Sequence, residues 1–283
     1  MGLLSPKMDF IFQQIFGSEE NKEISISFLN AVLNSTEKNK IEKVIFKKSY
    51  VIDEYSSDKF RLNIEATTNK NEIINIEVQV RYEQSLIQKT LYFWNKLYSK
   101  QLEEGQNYGV LNKTIYINVL NFNYLKETSN FHSVFRLKEI TSNMELTDIE
   151  EIHFIELPKF VNNKEKSLLA AWCEFLNNPN SVEVRELENE VDEIKRAMDI
   201  LIRISNNEEQ RRFYEIKEKQ ILDEISALAL AKQRSIESFL EIGKEEGRKQ
   251  IAIKIAKNLL DILDDETIAL KTGLTIEEIK KLR

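Results

Sequence analysis

Two neighbouring stretches of the chain alternate apolar and polar residues with strict period two. Phe60, Leu62, Ile64 and Ala66 alternate with Arg61, Asn63, Glu65 and Thr67, the turn formers Thr68-Asn69-Lys70-Asn71 follow, and Ile74, Ile76, Val78 and Val80 alternate with Ile73, Asn75, Glu77 and Gln79. This pattern predicts a hairpin in which Asn63 and Glu65 share one face of the first strand and Glu77 and Gln79 share one face of the second. Strand-like runs also occur at Lys43 to Ile52, Thr114 to Leu120, Phe131 to Leu137 and Ile152 to Leu157. Helical spacing surrounds them. Phe10, Ile11, Phe12, Ile15 and Phe16 fill a short core helix opened by Ser5-Pro6 and ended at Gly17, with Asp9 as its cap or as an acid approaching the hairpin. Ser18 to Asn34 carries a second buried stripe, and Leu86, Thr90, Phe93, Trp94, Leu97, Tyr98 and Gln101 recur at steps that lay a long helix across the sheet. The predicted fold is therefore α/β, a mixed sheet of about five strands with helices on both faces.

At Asn177-Asn178-Pro179-Asn180-Ser181 the pattern changes, because turn formers interrupt it and every later segment is charged and helix-permissive. Val182 to Gly243 carries a narrow apolar stripe, which seeks another helix by folding back or by self-association. From Leu259 the chain spells two short helices about Gly273, the second opened by Thr275 with Glu278 three residues on, a capping-box spacing. The second helix begins TIEEIKKLR, and its leading acids favour a docking or capping element over a DNA reader. The expected division is a domain over 1–178, a helical arm over 179–258 and a helix-turn-helix-like tail over 259–283.

Composition narrows the chemistry. The 283 residues are 42% hydrophobic and 31% charged with a net charge of −7, so a sizeable core is available and no global attraction to nucleic acid exists. The stretches 37–48 and 244–257 are locally basic but mix in acids, as solvated faces do. A single cysteine, Cys173, excludes an internal disulfide and a cysteine-based zinc site. The two histidines, His132 and His153, lie in strand-like runs without ligand spacing and read as structural. No run of about 18 apolar residues and no N-terminal signal pattern occurs, so the expectation is a soluble, cytoplasmic protein without membrane contact.

The polar face of the hairpin carries acids and amides without a lysine, which a merely wet strand face seldom does. These residues resemble the acidic motif of the PD-(D/E)XK nuclease superfamily, and the chain resembles the recombination-promoting nuclease / putative transposase family within it. The likeness extends over SPKMDFIFQQIFG, the hairpin, SLIQKTLYFWNKLYSKQLEEG, KTIYINVLNF, FHSVFRLKE, EIHFIELPKF and the closing segment from Ala256. It implies a nuclease-like α/β domain binding DNA and a divalent cation, Mg²⁺ or Mn²⁺. Glu77-Val78-Gln79 matches the family's acidic element, in which glutamine commonly replaces the superfamily's lysine. The position of the family's aspartate holds Asn63, so the frame has one carboxylate fewer. By this resemblance Glu77, Asn63 and Gln79 are the candidate catalytic residues, and Glu77, Asn63 and Glu65 the candidate metal ligands. Glu65 stands about 7 Å along the strand from Asn63; Gln84 and Gln88 are outer candidates. Two functions stay open: a metal-dependent DNA endonuclease linked to recombination or transposon-like mobility, or a weakened relative acting as a DNA-binding or protein-interaction module.

Overall fold

A computed structural model of the chain describes residues 2–47, 50–51, 61–62, 64–160 and 166–283. They form two compact units, Met1–Lys217 and Glu218–Arg283.

Six strands of the first unit make one mixed sheet: β1 (Val44–Lys47), β4 (Ile64–Thr68), β5 (Ile73–Gln79), β6 (Thr114–Leu120), β7 (His132–Lys138) and β8 (Glu145–Glu156), in the order β1-β4-β5-β6-β8-β7. A separate pair joins β2 (Tyr50–Val51) to β3 (Arg61–Leu62). The expected hairpin is β4 and β5, antiparallel, with Glu65 opposite Asn75 and Ile64 opposite Ile76. Its turn closes through Asn71, whose φ of 62° is a left-handed conformation that asparagine tolerates. β5, β6 and β8 run parallel, so Glu77 lies beside Asn118 and Asn118 beside Phe154. The sheet has six strands where about five were expected, and β8 is longer than its apolar run: it begins at Glu145, well before Ile152, and forms with β7 a hairpin whose outer half is exposed. Its residues 145–151 are largely polar, so no apolar run announced them.

Parallel strands need a crossover, and α3 (Leu86–Ser99) supplies it between β5 and β6. Its apolar stripe seals one face of the sheet: Leu86 and Trp94 pack with Tyr116, Leu120, Ile152 and Phe154, and Trp94 Nε1 donates to the Thr114 carbonyl at 2.8 Å. Two helices that pack on each other, α1 (Asp9–Phe16) and α2 (Lys22–Val32), belong to a second core. There Phe16 stacks on Phe12 at 4.3 Å and meets Phe28 and Trp172 at 5.1 and 5.3 Å. Trp172 belongs to α4 (Leu168–Asn177), which also buries Cys173 completely. The N-cap of α1 is Met8; Asp9 occupies the first turn, where its carboxylate accepts from the Phe10 N–H at 2.8 Å and meets the positive end of the helix. The second helix is shorter than expected, starting at Lys22 after a 3₁₀ turn over Glu19–Asn21.

The first unit continues past the expected boundary at 178. Helices α5 (Val182–Glu190) and α6 (Asp192–Asn206) bury Val184, Ile194, Ala197 and Leu201 completely, and α6 packs on α1 and α2. The front part of the expected arm has thus folded back. The long helix α7 (Glu208–Leu259) opens in the first unit, where Phe213 meets Phe10 edge-on at 4.9 Å. The second unit holds the remainder of α7, α8 (Asp265–Thr272) and α9 (Ile276–Lys280), around Ala256, Ile268, Leu274 and Ile279. Gly273 has φ 74°, and the Thr275–Glu278 capping box is present. Among the described residues no helix is long and apolar enough to cross a membrane.

Candidate active site

β5 is a central strand whose polar face lies beneath α3, so its polar side chains are buried: Asn75 fully, Glu77 to 6% exposure and Gln79 to 8%. A carboxylate there loses most of its hydration and must recover it from fixed partners. Two such partners of Glu77 lie among the described residues. Its Oε1 accepts from Lys89 Nζ at 3.1 Å, and its Oε2 accepts from the Tyr116 hydroxyl, one strand over, at 2.7 Å. Lys89 also donates to Glu83 at 3.0 Å and is itself only 10% exposed. The site is therefore a charge chain, Glu77–Lys89–Glu83, buried at the strand and partly exposed at Glu83 in the connecting loop.

Lys89 was not singled out in the sequence, yet a signal for it exists. It lies three residues after Leu86 and four before Phe93, on the edge of an otherwise apolar helix face. Gln84 and Gln88 are exposed instead; the helical rotation that turns Leu86, Lys89 and Thr90 inward carries Gln88 outward. Glu65 is half-buried on the strand beside β5, opposite Asn75. Asn63 lies outside the described residues. The Gln79 side-chain Nε2 has no hydrogen-bond partner among them.

The oxygen donors brought to this face are the carboxylates of Glu77 and Glu65 and the amide oxygens of Asn75 and Gln79. Such hard donors suit Mg²⁺ or Mn²⁺. Among the described residues no group of three His, Cys, Asp or Glu side chains converges on one ion position.

The two histidines, far apart in sequence, meet on the opposite sheet face. His132 Nε2 lies 2.9 Å from His153 Nδ1, and His153 Nε2 lies 2.8 Å from Glu151 Oε1. Glu151 Oε2 accepts from Lys113 at 2.9 Å and from Arg136 Nε at 2.7 Å. With both rings neutral every bond in this chain has one donor and one acceptor. Burial, then the neighbouring His153, hold His132 down at about 4, against a smaller upward pull from Glu151. Burial would raise Glu151, but hydrogen bonds from His153 and Lys113 and the charge of Lys113 outweigh it and hold the carboxyl at about 2. The two rings form a hydrogen-bonded chain within the sheet; their mutual contact was hidden because period-two patterns do not reveal which strands become neighbours.

A mixed sheet with a buried acid on its central strand, under a crossover helix, defines a nuclease-type α/β domain. The chain matches the family described as PD-(D/E)XK nuclease family transposases over residues 6–231, and it belongs to that family. Members of this nuclease class generally use divalent metals. Comparison with curated proteins and with solved structures gave no significant match.

Two outcomes follow from these contacts. Replacing Lys89 by Met leaves Glu77 buried without its cation and should cost about 3–5 kcal/mol in urea unfolding. A second change, Glu77→Gln, should recover most of that loss; a single-mutant cost below about 1 kcal/mol would contradict the buried pair. The histidine chain sets an acid limit. The unfolded chain protonates His132 near 6.5 and the folded one only near 4, so its stabilisation is complete above 6.5 and is lost as pH falls from 6.5 to 4. That loss amounts to at most about 3 kcal/mol. Unfolding free energies measured across this window should slope for the wild type and flatten for His132→Asn.

Proposed function

We propose that the chain is a metal-dependent DNA endonuclease serving recombination or transposon-like mobility in the cytoplasm. The observation that supports this reading most is a buried, ion-paired glutamate, Glu77, near the carboxyl end of a central parallel strand in a chain of this nuclease family. In this reading Glu77, Glu65 and the Asn63 position hold Mg²⁺ or Mn²⁺. The bound ion would supply Lewis acidity at the phosphoryl oxygen and a water of lowered pKa.

The protein's own groups have separate tasks. Tyr116 fixes the Glu77 carboxylate from the neighbouring strand, so the acid keeps one orientation. The Gln79 amide, whose Nε2 lacks a protein partner among the described residues, orients the attacking water. Lys89 brings a positive charge to a face where Gln79 stands in the position of the superfamily's lysine, and this charge holds the Glu77 carboxylate in place. Asn63 offers a carbonyl oxygen but no charge, which lowers cation affinity at a hard-ion site.

The second reading, a weakened nuclease frame that binds DNA or protein, draws on the same Asn63. Nicking of supercoiled plasmid with Mg²⁺ or Mn²⁺ separates the two: cleavage by the wild type and none by Glu77→Ala supports the enzyme, and equal traces from both remove it. Calorimetry then assigns the ligands. Asn63→Asp should tighten cation binding and raise nicking if that position is a ligand, whereas Glu65→Gln should abolish binding if Glu65 has taken over.

We propose in addition that the chain self-associates through α7, whose Ile225, Leu228, Ile236, Phe239 and Ile242 are all exposed. Light scattering should report more than one copy per particle for the wild type and a smaller particle for the Phe239→Glu, Ile242→Glu double variant. Identical masses would end the proposal.

A further inference from the structure

The loop after β5 and the loop after β6 bring three aromatic rings together at the carboxyl ends of the parallel strands. Tyr82, three residues beyond Gln79, meets Phe122 edge-on at 5.6 Å and Tyr124 at 5.7 Å with a tilt of 38°. Phe122 and Tyr124 are half-buried against the core under α3, and Tyr124 lies nearly parallel to Phe154 at 6.3 Å. Tyr82 is 56% exposed. A large ring is thus held at the surface on a rigid backing.

The backing is more firmly fixed than a solvent loop requires. Glu156, fully buried at the end of β8, accepts from the backbone N–H groups of Tyr124 and Leu125 at 2.5 and 3.1 Å and from Lys159 at 2.6 Å. Lys159 donates in turn to the carbonyls of Leu125 and Thr128. The Tyr124 hydroxyl donates to the Gln84 carbonyl at 3.0 Å, which ties the second loop to the first. Tyr82 also adjoins Glu83, which holds Lys89, which holds Glu77. In open α/β sheets ligands bind outside the carboxyl ends of the strands. There the Gln79 Nε2, on a side chain more than nine-tenths buried, has no protein partner among the described residues.

We propose that Tyr82, backed by Phe122 and Tyr124, is a stacking platform for an unpaired base of the DNA strand that enters the Glu77 site. This rests on the endonuclease reading and adds a substrate class to it: DNA with an unpaired segment at the point of cleavage. Two physical considerations select that occupant. A net charge of −7 gives the protein little attraction for phosphates at large, so grip must come from the bases. Bases in a duplex are already stacked on each other, and only an unpaired base has a free face for the ring.

The test is a binding titration of the intact protein in EDTA, where nothing is cleaved, with fluorescent single-stranded and blunt duplex oligonucleotides of the same sequence. The wild type should prefer the single strand. Tyr82→Ala should weaken single-strand binding about tenfold, in keeping with the stacking of one base, and leave duplex binding unchanged, while Tyr82→Phe keeps wild-type affinity. A 2-aminopurine base in the single strand should be quenched by wild type and Tyr82→Phe but not by Tyr82→Ala. Tyr82→Leu, which retains an apolar side chain without a ring, serves if the alanine variant does not fold and should lose the quenching too. Unchanged single-strand affinity in Tyr82→Ala or Tyr82→Leu, a wild-type preference for duplex, or no single-strand binding at all overturns the platform. Failure of the nuclease reading is visible separately: Tyr82-dependent strand binding by a protein that never nicks plasmid leaves the platform standing and removes the enzyme.

Discussion

A carboxylate in the interior of a sheet needs a counter-charge within reach, and much of the first unit meets that requirement. Glu77 on β5 can be ionised because Lys89 descends from α3 and Tyr116 reaches across from β6. Both partners depend on the crossover lying where it does. Trp94 anchors α3 to the first residue of β6, and Thr90 bonds Asn118, the register neighbour of Glu77. The apolar cluster under α3 therefore fixes the helix so that a lysine ammonium arrives beside one buried acid.

The two sheet faces handle charge in different ways. On the Glu77 face, among the described residues, Glu77 is held by Lys89 and the Tyr116 phenol. On the other, Glu151 is held by Lys113, Arg136 and the histidine chain, donors enough to fill both carboxylate oxygens. The first arrangement leaves Gln79 Nε2 without a partner among the described residues, whereas in the second both Glu151 oxygens are engaged. The two clusters thus differ more in hydrogen-bond satisfaction than in the number of charges.

Local pattern revealed the parts of this architecture that local chemistry determines. Alternation at 64–68 and 73–79 gave the hairpin and the shared face of Glu65, Glu77 and Gln79, and Thr275 with Glu278 gave the cap of α9. What stayed hidden depends on tertiary neighbours. Lys89 looks like any helix lysine until α3 is laid on β5; His132 and His153 are 21 residues apart and meet only because β7 returns along β8. The narrow stripes of α5 and α6 left folding back and self-association equally open, and Val184 and Leu201 lie in the first unit's core. In the second unit the acid Glu278 that argued against base readout is engaged in the capping box and paired with Lys249.

The parallel pairing of β5 with β6 bears on the order of assembly. The β4–β5 hairpin closes over a turn of a few residues and can form early, but Glu77 gains Tyr116 only after the chain has travelled through α3 and returned, a loop of 39 residues. Such long-range closure is slow compared with hairpin formation. The acid is consequently made on a young hairpin open to water and is enclosed late, by the strand that completes the sheet. A nascent chain released before residue 116 would carry the glutamate and Lys89 but not Tyr116, so the environment of this acid is completed late, when the strand after the crossover docks.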